Sequence, residues 1–297
     1  MDVRVLRYFL AVAREESISG AAEYLHLSQP TLSRQLMDLE KELGKPLFIR
    51  GSRKITLTEQ GILLRKRASE IMDLVDKTTA ELTAPEDAIT GEVYIGAGET
   101  DGVHFLTRTA RKVQQEYPKV HFHIASGDTV DVTEQLDKGL IDFGLLFEPI
   151  DTAKYGVYHL PVYDVWGVLM RRDSPLAQKS AIEAADLVKQ PLIMSRLMGE
   201  KHPLNAWFRK NVRLLNVVAT YSLLYNASLM VEDGLGYALC LGGIINTSGD
   251  SALCFRPLAP EIAAHMGVVW KKSQVFSRAS EKFLVTLQEV GSERSAN

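Results

Sequence analysis

Cysteine is scarce in this chain. Only Cys240 and Cys254 occur in 297 residues, and both lie in apolar surroundings. Thiols so placed read as buried structural side chains, and they support neither a disulfide framework nor a metal site. Long apolar runs are lacking too, so no stretch reads as a bilayer span and no membrane partner is expected. The N-terminal stretch MDVRVLRYFLAVAREES is interrupted by Arg4, Arg7 and Arg14. It does not read as a signal peptide, and a cytoplasmic location is expected. Charge of one sign is missing as well: 34 Lys and Arg face 37 Asp and Glu, a net charge of -3. That balance excludes a uniformly basic coat but allows a local basic surface, because screening confines electrostatic attraction to nearby groups.

Catalytic patterns are equally sparse. The seven histidines lack metal-ligand spacing. GAGETDG holds a lone Gly-x-Gly, but the residues after it fail the dinucleotide fingerprint. Neither a Gly-x-Ser-x-Gly elbow nor a phosphate loop is present. The chain therefore reads as a non-enzyme with no cofactor and no metal.

What is present is periodicity, and it changes along the chain. The length exceeds what one small core organises, so two or more domains are expected. Up to Thr58 the pattern is short helices followed by a hairpin. Leu6, Phe9, Leu10 and Ala13 form a helical stripe, and Ser19 suits the cap of a second helix carrying Ala21, Ala22 and Leu25. KPLFIRGSRKITLT alternates apolar and polar residues around Gly51-Ser52 and predicts a two-stranded wing. From Thr58 to Leu82 one long helix is predicted, with Leu64, Ala68, Ile71, Val75, Thr78 and Leu82 stepping by four and three. Such a seam suits pairing with a second helix; packing on the helix's own domain is the competing reading. Pro85 and Gly91 then mark a linker. Beyond Gly91 strands and helices alternate, which predicts one parallel α/β sheet or two.

The third helix of the first zone carries the most chemistry. Leu32, Leu36, Leu39 and Leu43 line one face. Ser28 suits the N-cap, and Pro30 fits the first turn, where backbone donors have no helical partner. The other face presents Gln29, Pro30, Thr31, Ser33 and Arg34 instead of the usual Lys and Glu. A short helix, a tight turn and such a helix suit a helix-turn-helix that reads base edges in the major groove. Arg50, Arg53 and Lys54 in the wing would meet phosphates or a narrow minor groove. A small bundle with a merely solvated polar face is the alternative.

AAEYLHLSQPTLSRQLMDLEKELGKPLFIRGSRKITLTEQG resembles the winged helix-turn-helix of LysR-type transcriptional regulators. The paired alanines, Ser-Gln-Pro, Ser-Arg-Gln, Leu-Glu, Gly-Lys-Pro-Leu-Phe and Leu-Thr-Glu-Gln-Gly carry the likeness, and VEDGLGYAL extends it loosely. The resemblance implies a winged helix-turn-helix over residues 1–58, a dimerising linker helix and hinge over 59–90, and an effector-binding domain over 91–297. That last part would be two Rossmann-like α/β subdomains similar to periplasmic binding proteins, with a small molecule between them. It further implies a homodimer through the linker helix, a homotetramer overall, and operator DNA as partner. The DNA contacts implied are Ser28, Gln29, Pro30, Thr31, Ser33, Arg34 and Arg53, with Arg50 and Lys54 weaker. A solute-binding protein or an enzyme with an accessory DNA-binding domain are the rivals. The first needs a leader or lipid anchor and the second a catalytic constellation.

Candidate effector contacts sit where predicted strands end. The family often has a small hydroxyl residue after the first strand, and this chain offers Thr100, between Glu99 and Asp101. Asp101 as a helix cap and Glu99 as a solvated group are the plainer readings. Ser126, Asp128 and Thr129 lie at a turn that opens a helix, where Asp128 also suits an N-cap. Ser195 and Arg196 follow another strand, and Arg196 is the cation placed to pair with a carboxylate, with a surface-exposed side chain as the plainer reading. Thr220 and Ser222 precede a further helix, as contacts or caps. A small polar metabolite with at most one carboxylate is expected, or a neutral or zwitterionic one.

Overall fold

The computed structural model describes residues 1–51, 54–83, 88–196, 203–208 and 214–295, with only the backbone of Arg50, Pro203, Arg294 and Ser295. The chain divides into two compact units, Met1–Ala84 and Pro85–Asn297.

The first unit contains α1 (Val3–Glu15), α2 (Ile18–Tyr24), α3 (Gln29–Leu43), β1 (Phe48–Arg50), β2 (Ile55–Leu57) and α4 (Glu59–Thr83). Each of the first three helices begins at a capped turn. The side chains of Asp2, Ser17 and Ser28 accept the backbone N–H of Arg4, Gly20 and Thr31. Ser17, not the expected Ser19, therefore caps α2. Leu6, Phe9 and Val12 meet Ala21, Ala22, Leu32, Leu36 and Leu39 in one core. Leu43, expected on that face, is 40% exposed. The next residue, Gly44, ends α3 in the left-handed region at φ 65°, beyond the core.

The long helix corrects the expected seam. Ala68 and Met72 are buried in the unit's own core, with Leu64 and Ile71 packed against it. The stepping pattern of its first half thus reports packing within one chain. Leu63 and Leu74, outside the expected seam, are exposed, and so is Leu82 at its far end.

The second unit contains β3 (Gly91–Ala97), α5 (Val103–Glu116), β4 (Val120–Ser126), α6 (Thr129–Lys138), β5 (Phe143–Phe147), β6 (Tyr155–Arg171), β7 (Ile182–Glu183), β8 (Pro191–Ser195), α7 (Pro203–Phe208), β9 (Asn216–Tyr221), α8 (Leu224–Glu232), β10 (Tyr237–Leu241), β11 (Leu253–Ala259), β12 (Ala263–Lys271) and α9 (Arg278–Ser295). The strands lie in the order β4-β3-β5-β12-β6-β10-β8-β9, with β11 beside β6. Strand β6 makes this two lobes. Its residues up to Val165 pair with β12, and from Trp166 onward it pairs with β10.

The sheets are mixed, not purely parallel. β12 runs antiparallel to β5 and β6, and β10 and β11 run antiparallel to β6. Residues 260–262 alone join β11 to β12, which run one after the other antiparallel to β6, β11 along Gly167–Arg171 and β12 along Tyr155–Val165. The first lobe centres on Val93, Ile95, Phe105, Phe143 and Phe283. In the second lobe Cys254 lies in one buried cluster and Cys240 in another. Alternation along the strands puts these clusters on opposite sheet faces, so the two thiols are structural and do not pair.

Candidate nucleic-acid interface and inter-lobe cleft

At the start of α3 the Ser28 hydroxyl accepts the N–H of Thr31 at 3.3 Å and bonds the Thr31 hydroxyl at 2.7 Å. Burial of Leu32, Leu36 and Leu39 fixes the rotation of the helix. Ser28, Gln29, Pro30, Thr31 and Arg34 are consequently exposed, and Ser33 is half-buried. These five exposed residues share the N-terminal end of one helix, the end that enters the major groove in this class of fold.

The wing is bound to that helix by residues whose part the sequence hid. Glu40 of α3 accepts the N–H of Leu47 at 2.7 Å and of Phe48 at 3.2 Å. The Thr58 hydroxyl donates to Pro46 O at 2.8 Å and accepts the Gly61 N–H at 3.0 Å, which caps α4 as expected. Gly61 has no substitute there: a Cβ would lie 2.2 Å from Leu47 O. Glu40 and Gly61 sit in the Leu-Glu and Glu-Gln-Gly segments, and their geometry shows what those segments do.

Of the wing cations, Arg50 belongs to β1, opposite Ile55, and Arg53 lies outside the described residues. Lys54 is corrected. Its ammonium pairs with Glu16, and the neighbouring Ile55 N–H donates to Glu16 O at 2.9 Å. It is therefore held toward the α1–α2 turn, although it remains exposed.

In the second unit the C-terminal ends of β3, β4, β8 and β9 face one another across the cleft between the lobes. Thr100 follows β3 and is 8% exposed. Its hydroxyl accepts the Gly102 N–H at 3.0 Å and donates to the buried carboxylate of Asp164 on β6. Burial pushes the Asp164 carboxyl above the ordinary range. The Thr100 hydroxyl is thus already engaged on both sides. Asp101 is exposed and does not cap α5, whose N-cap residue is Gly102 without a side-chain bond. Glu99 is not simply solvated either. Its carboxylate accepts the N–H of Leu224 at the start of α8, in the other lobe.

Ser126, which ends β4, and Thr129 are exposed, while Asp128 caps α6 by accepting the N–H of Val130 at 2.9 Å and of Asp131 at 3.1 Å. Its other oxygen receives Arg196 from the second lobe, whose Nε lies at 2.9 Å. Burial alone would raise the Asp128 carboxyl; the Asp131 N–H and the guanidinium reverse this and hold it below the ordinary range. Ser195, half-buried, ends β8, and the Arg196 N–H continues the β8–β9 pairing to Tyr221 O at 2.9 Å. Thr220 and Ser222 are both exposed beside the same turn. Ser222 does not cap α8, whose N-cap residue is Leu223. Among the described residues no group of three or more His, Cys, Asp or Glu is placed to hold a metal, and no helix is long and apolar enough to cross a membrane.

A capped, outward-facing helix with a hairpin wing, joined to a two-lobed α/β unit, defines a DNA-binding regulator with a ligand-binding domain. Residues 3–62 match the bacterial regulatory helix-turn-helix protein, lysR family, and residues 86–292 match the LysR substrate binding domain. The chain belongs to the LysR family of transcriptional regulators. The Hca operon transcriptional activator HcaR of Escherichia coli (strain K12) is 30% identical, covering 97% of this chain and 98% of that protein. The HTH-type transcriptional activator CmpR of Synechocystis is 29% identical, over 93% of this chain and 91% of that one. The crystal structure of CbnR, a LysR family transcriptional regulator, covers 98% of this chain and 99% of its own, with a TM-score of 0.74 at 17% identity. Full-length CbnR complexed with the target DNA gives 0.75 at 18%, covering 98% of this chain and 100% of its own. At those identities the structures speak for the fold.

Proposed function

We propose that this regulator reads an operator through Ser28, Gln29, Pro30, Thr31, Ser33 and Arg34, with Arg50 and Arg53 of the wing on the backbone. The single observation that carries this reading is the exposed polar face at the N-terminal end of α3, fixed in rotation by three buried leucines. Lys54 contributes only where it leaves Glu16. The working division is a DNA-binding domain over 1–58, a linker helix and hinge over 59–90, and an effector domain over 91–297. The exposed Leu63, Leu74 and Leu82 support a homodimer through the linker helix and, with it, a cytoplasmic homotetramer.

The effector in this reading is a small polar metabolite between the lobes. The hydroxyl residues Ser126, Thr129, Thr220 and Ser222, with Ser195 beside them, supply hydrogen bonds. Thr100, Asp101, Asp128 and Arg196 shape the site and set its charge. Glu99, Asp101, Asp128 and Asp164 outnumber Arg196, which supports a ligand with at most one carboxylate, or a neutral or zwitterionic one. Binding would bias the relative orientation of the lobes, and the assembly would pass that bias to its DNA-binding domains. The test is a thermal-shift screen of the full chain against metabolites, followed by footprinting with each hit. A metabolite that raises the melting temperature and changes the footprint supports the reading. Hits that bind yet leave the footprint unchanged sink it.

A further inference from the structure

Each lobe sends one charged side chain to a helix-opening turn of the other. Glu99 leaves the end of β3 and accepts the N–H of Leu224, the first residue of α8. No side chain at the α8 N-cap accepts a hydrogen bond, because that residue is Leu223. The positive end of the α8 dipole is therefore met by a carboxylate from across the cleft. In the reverse direction Arg196 reaches the cap of α6. It contacts Asp128 through Nε and Nη2, and Asp131 through Nη2 at 3.5 Å. The Asp128 side chain is only 6% exposed, covered by its own turn and by the guanidinium. Both ties join the carboxyl ends of strands, the place where open α/β sheets take ligands. The lobes are otherwise continuous through β6, at Val165–Trp166, and through residues 260–262.

We propose that Glu99 and the Arg196–Asp128 pair form one latch, in which the chain's own carboxylates occupy the anion positions of the cleft and hold the lobes together without a ligand. The placement has two consequences. The ties share the same pair of lobes, so cutting one lets the other open more often. A ligand carboxylate aimed at α8 or at Arg196 meets a position already filled, so Glu99 and Asp128 set the effector's charge class. The regulatory meaning rests on the cleft being the effector site; the latch itself is tested with no effector present, so the two readings fail separately.

The test is hydrogen exchange of the Leu224 amide in the full-length protein. Arg196→Gln removes the distant tie yet leaves Asp128 to cap α6. Exchange at Leu224 should rise by about threefold to tenfold, and Arg196→Lys should return part of the protection. In Glu99→Ala the same amide should lose protection, and acetate, compared with chloride at equal ionic strength, should restore part of it by filling the vacated position. Protection at Val93 and Ile95 in the first-lobe core serves as the control for folding. A Leu224 rate in Arg196→Gln equal to that of the wild type overturns the latch, because the ties are then independent. So does a Glu99→Ala rate indifferent to acetate, because Glu99 is then not in an anion position.

Discussion

Glu40→Ala should loosen the wing from the recognition helix and destabilise the first unit without touching the second. One carboxylate oxygen of Glu40 accepts two backbone donors, Leu47 N–H at 2.7 Å and Phe48 N–H at 3.2 Å. Leu47 is 1% exposed, so its amide has little access to replacement water. A hydrogen bond to a charged group contributes about 1.5–3 kcal/mol, and a buried donor left unsatisfied costs about 1–3 kcal/mol. The two bonds share one acceptor and do not add in full, which gives an expected loss of about 2–4 kcal/mol. Glu40→Gln keeps an acceptor and loses the charge, so about 1 kcal/mol is expected. The assay exploits the placement of tryptophan. Trp166, Trp207 and Trp270 all lie in the second unit, so their fluorescence in urea reports that unit alone. Hydrogen exchange at Leu32, Leu36 and Leu39 reports the first. Faster exchange in the first unit with an unchanged tryptophan transition is the expected result. A loss below about 0.5 kcal/mol in Glu40→Ala would show that the two bonds do not hold the wing.

Three further outcomes rest on the same geometry. Arg34→Ala should weaken cognate DNA by about 1–3 kcal/mol with little loss on random DNA, as measured by titration at fixed salt; equal losses would mean a phosphate contact. Leu74→Lys should lower the assembly mass in sedimentation while the first unit stays folded, whereas Ile71→Lys should unfold that unit because Ile71 packs on its core; assembly unchanged in Leu74→Lys would remove this part of α4 from the pairing surface. Asp128 is held below the ordinary carboxylate range, so its tie stabilises the fold above about pH 4 and is lost as pH falls through the lowered value. Asp128→Asn should therefore flatten the acid limb of the tryptophan-monitored stability curve, and an acid limb identical to wild type would contradict the assignment.

Local pattern carried much of the fold. The caps Ser28 and Thr58, the leucine spacing of α3 and the alternation of the wing are properties of neighbouring residues, and each appears in the structure where the spacing puts it. What stayed hidden depends on residues far apart in the chain. A repeat of four and three in α4 looks the same whether its partner is a second helix or α1, and only the tertiary packing of Ala68 and Ile71 decides. The change of partners along β6 leaves no mark in a segment that is extended throughout.

The cleft was less legible for the same reason. The turns after β3, β4 and β8 were visible as strand ends, but their pairings were not. Asp164 stands 64 residues from the Thr100 hydroxyl it accepts. Leu224 stands 125 residues from Glu99. Thr100→Val would not test ligand contact alone, because it also strips the Asp164 and Gly102 bonds. Thr129, exposed at the first turn of α6, is the cleaner position for that test.

Sequence selection by the exposed end of α3 is what the proposed function stands on. Its most direct measurement is selection of duplexes from a random pool by the full-length chain, run in parallel with Arg34→Ala. Enrichment of a defined sequence by the wild type is expected, with loss of preference at particular base pairs in the variant and backbone-driven binding retained. A pool that stays random for the wild type, or the same enriched sequence with the same preferences for both proteins, would contradict it.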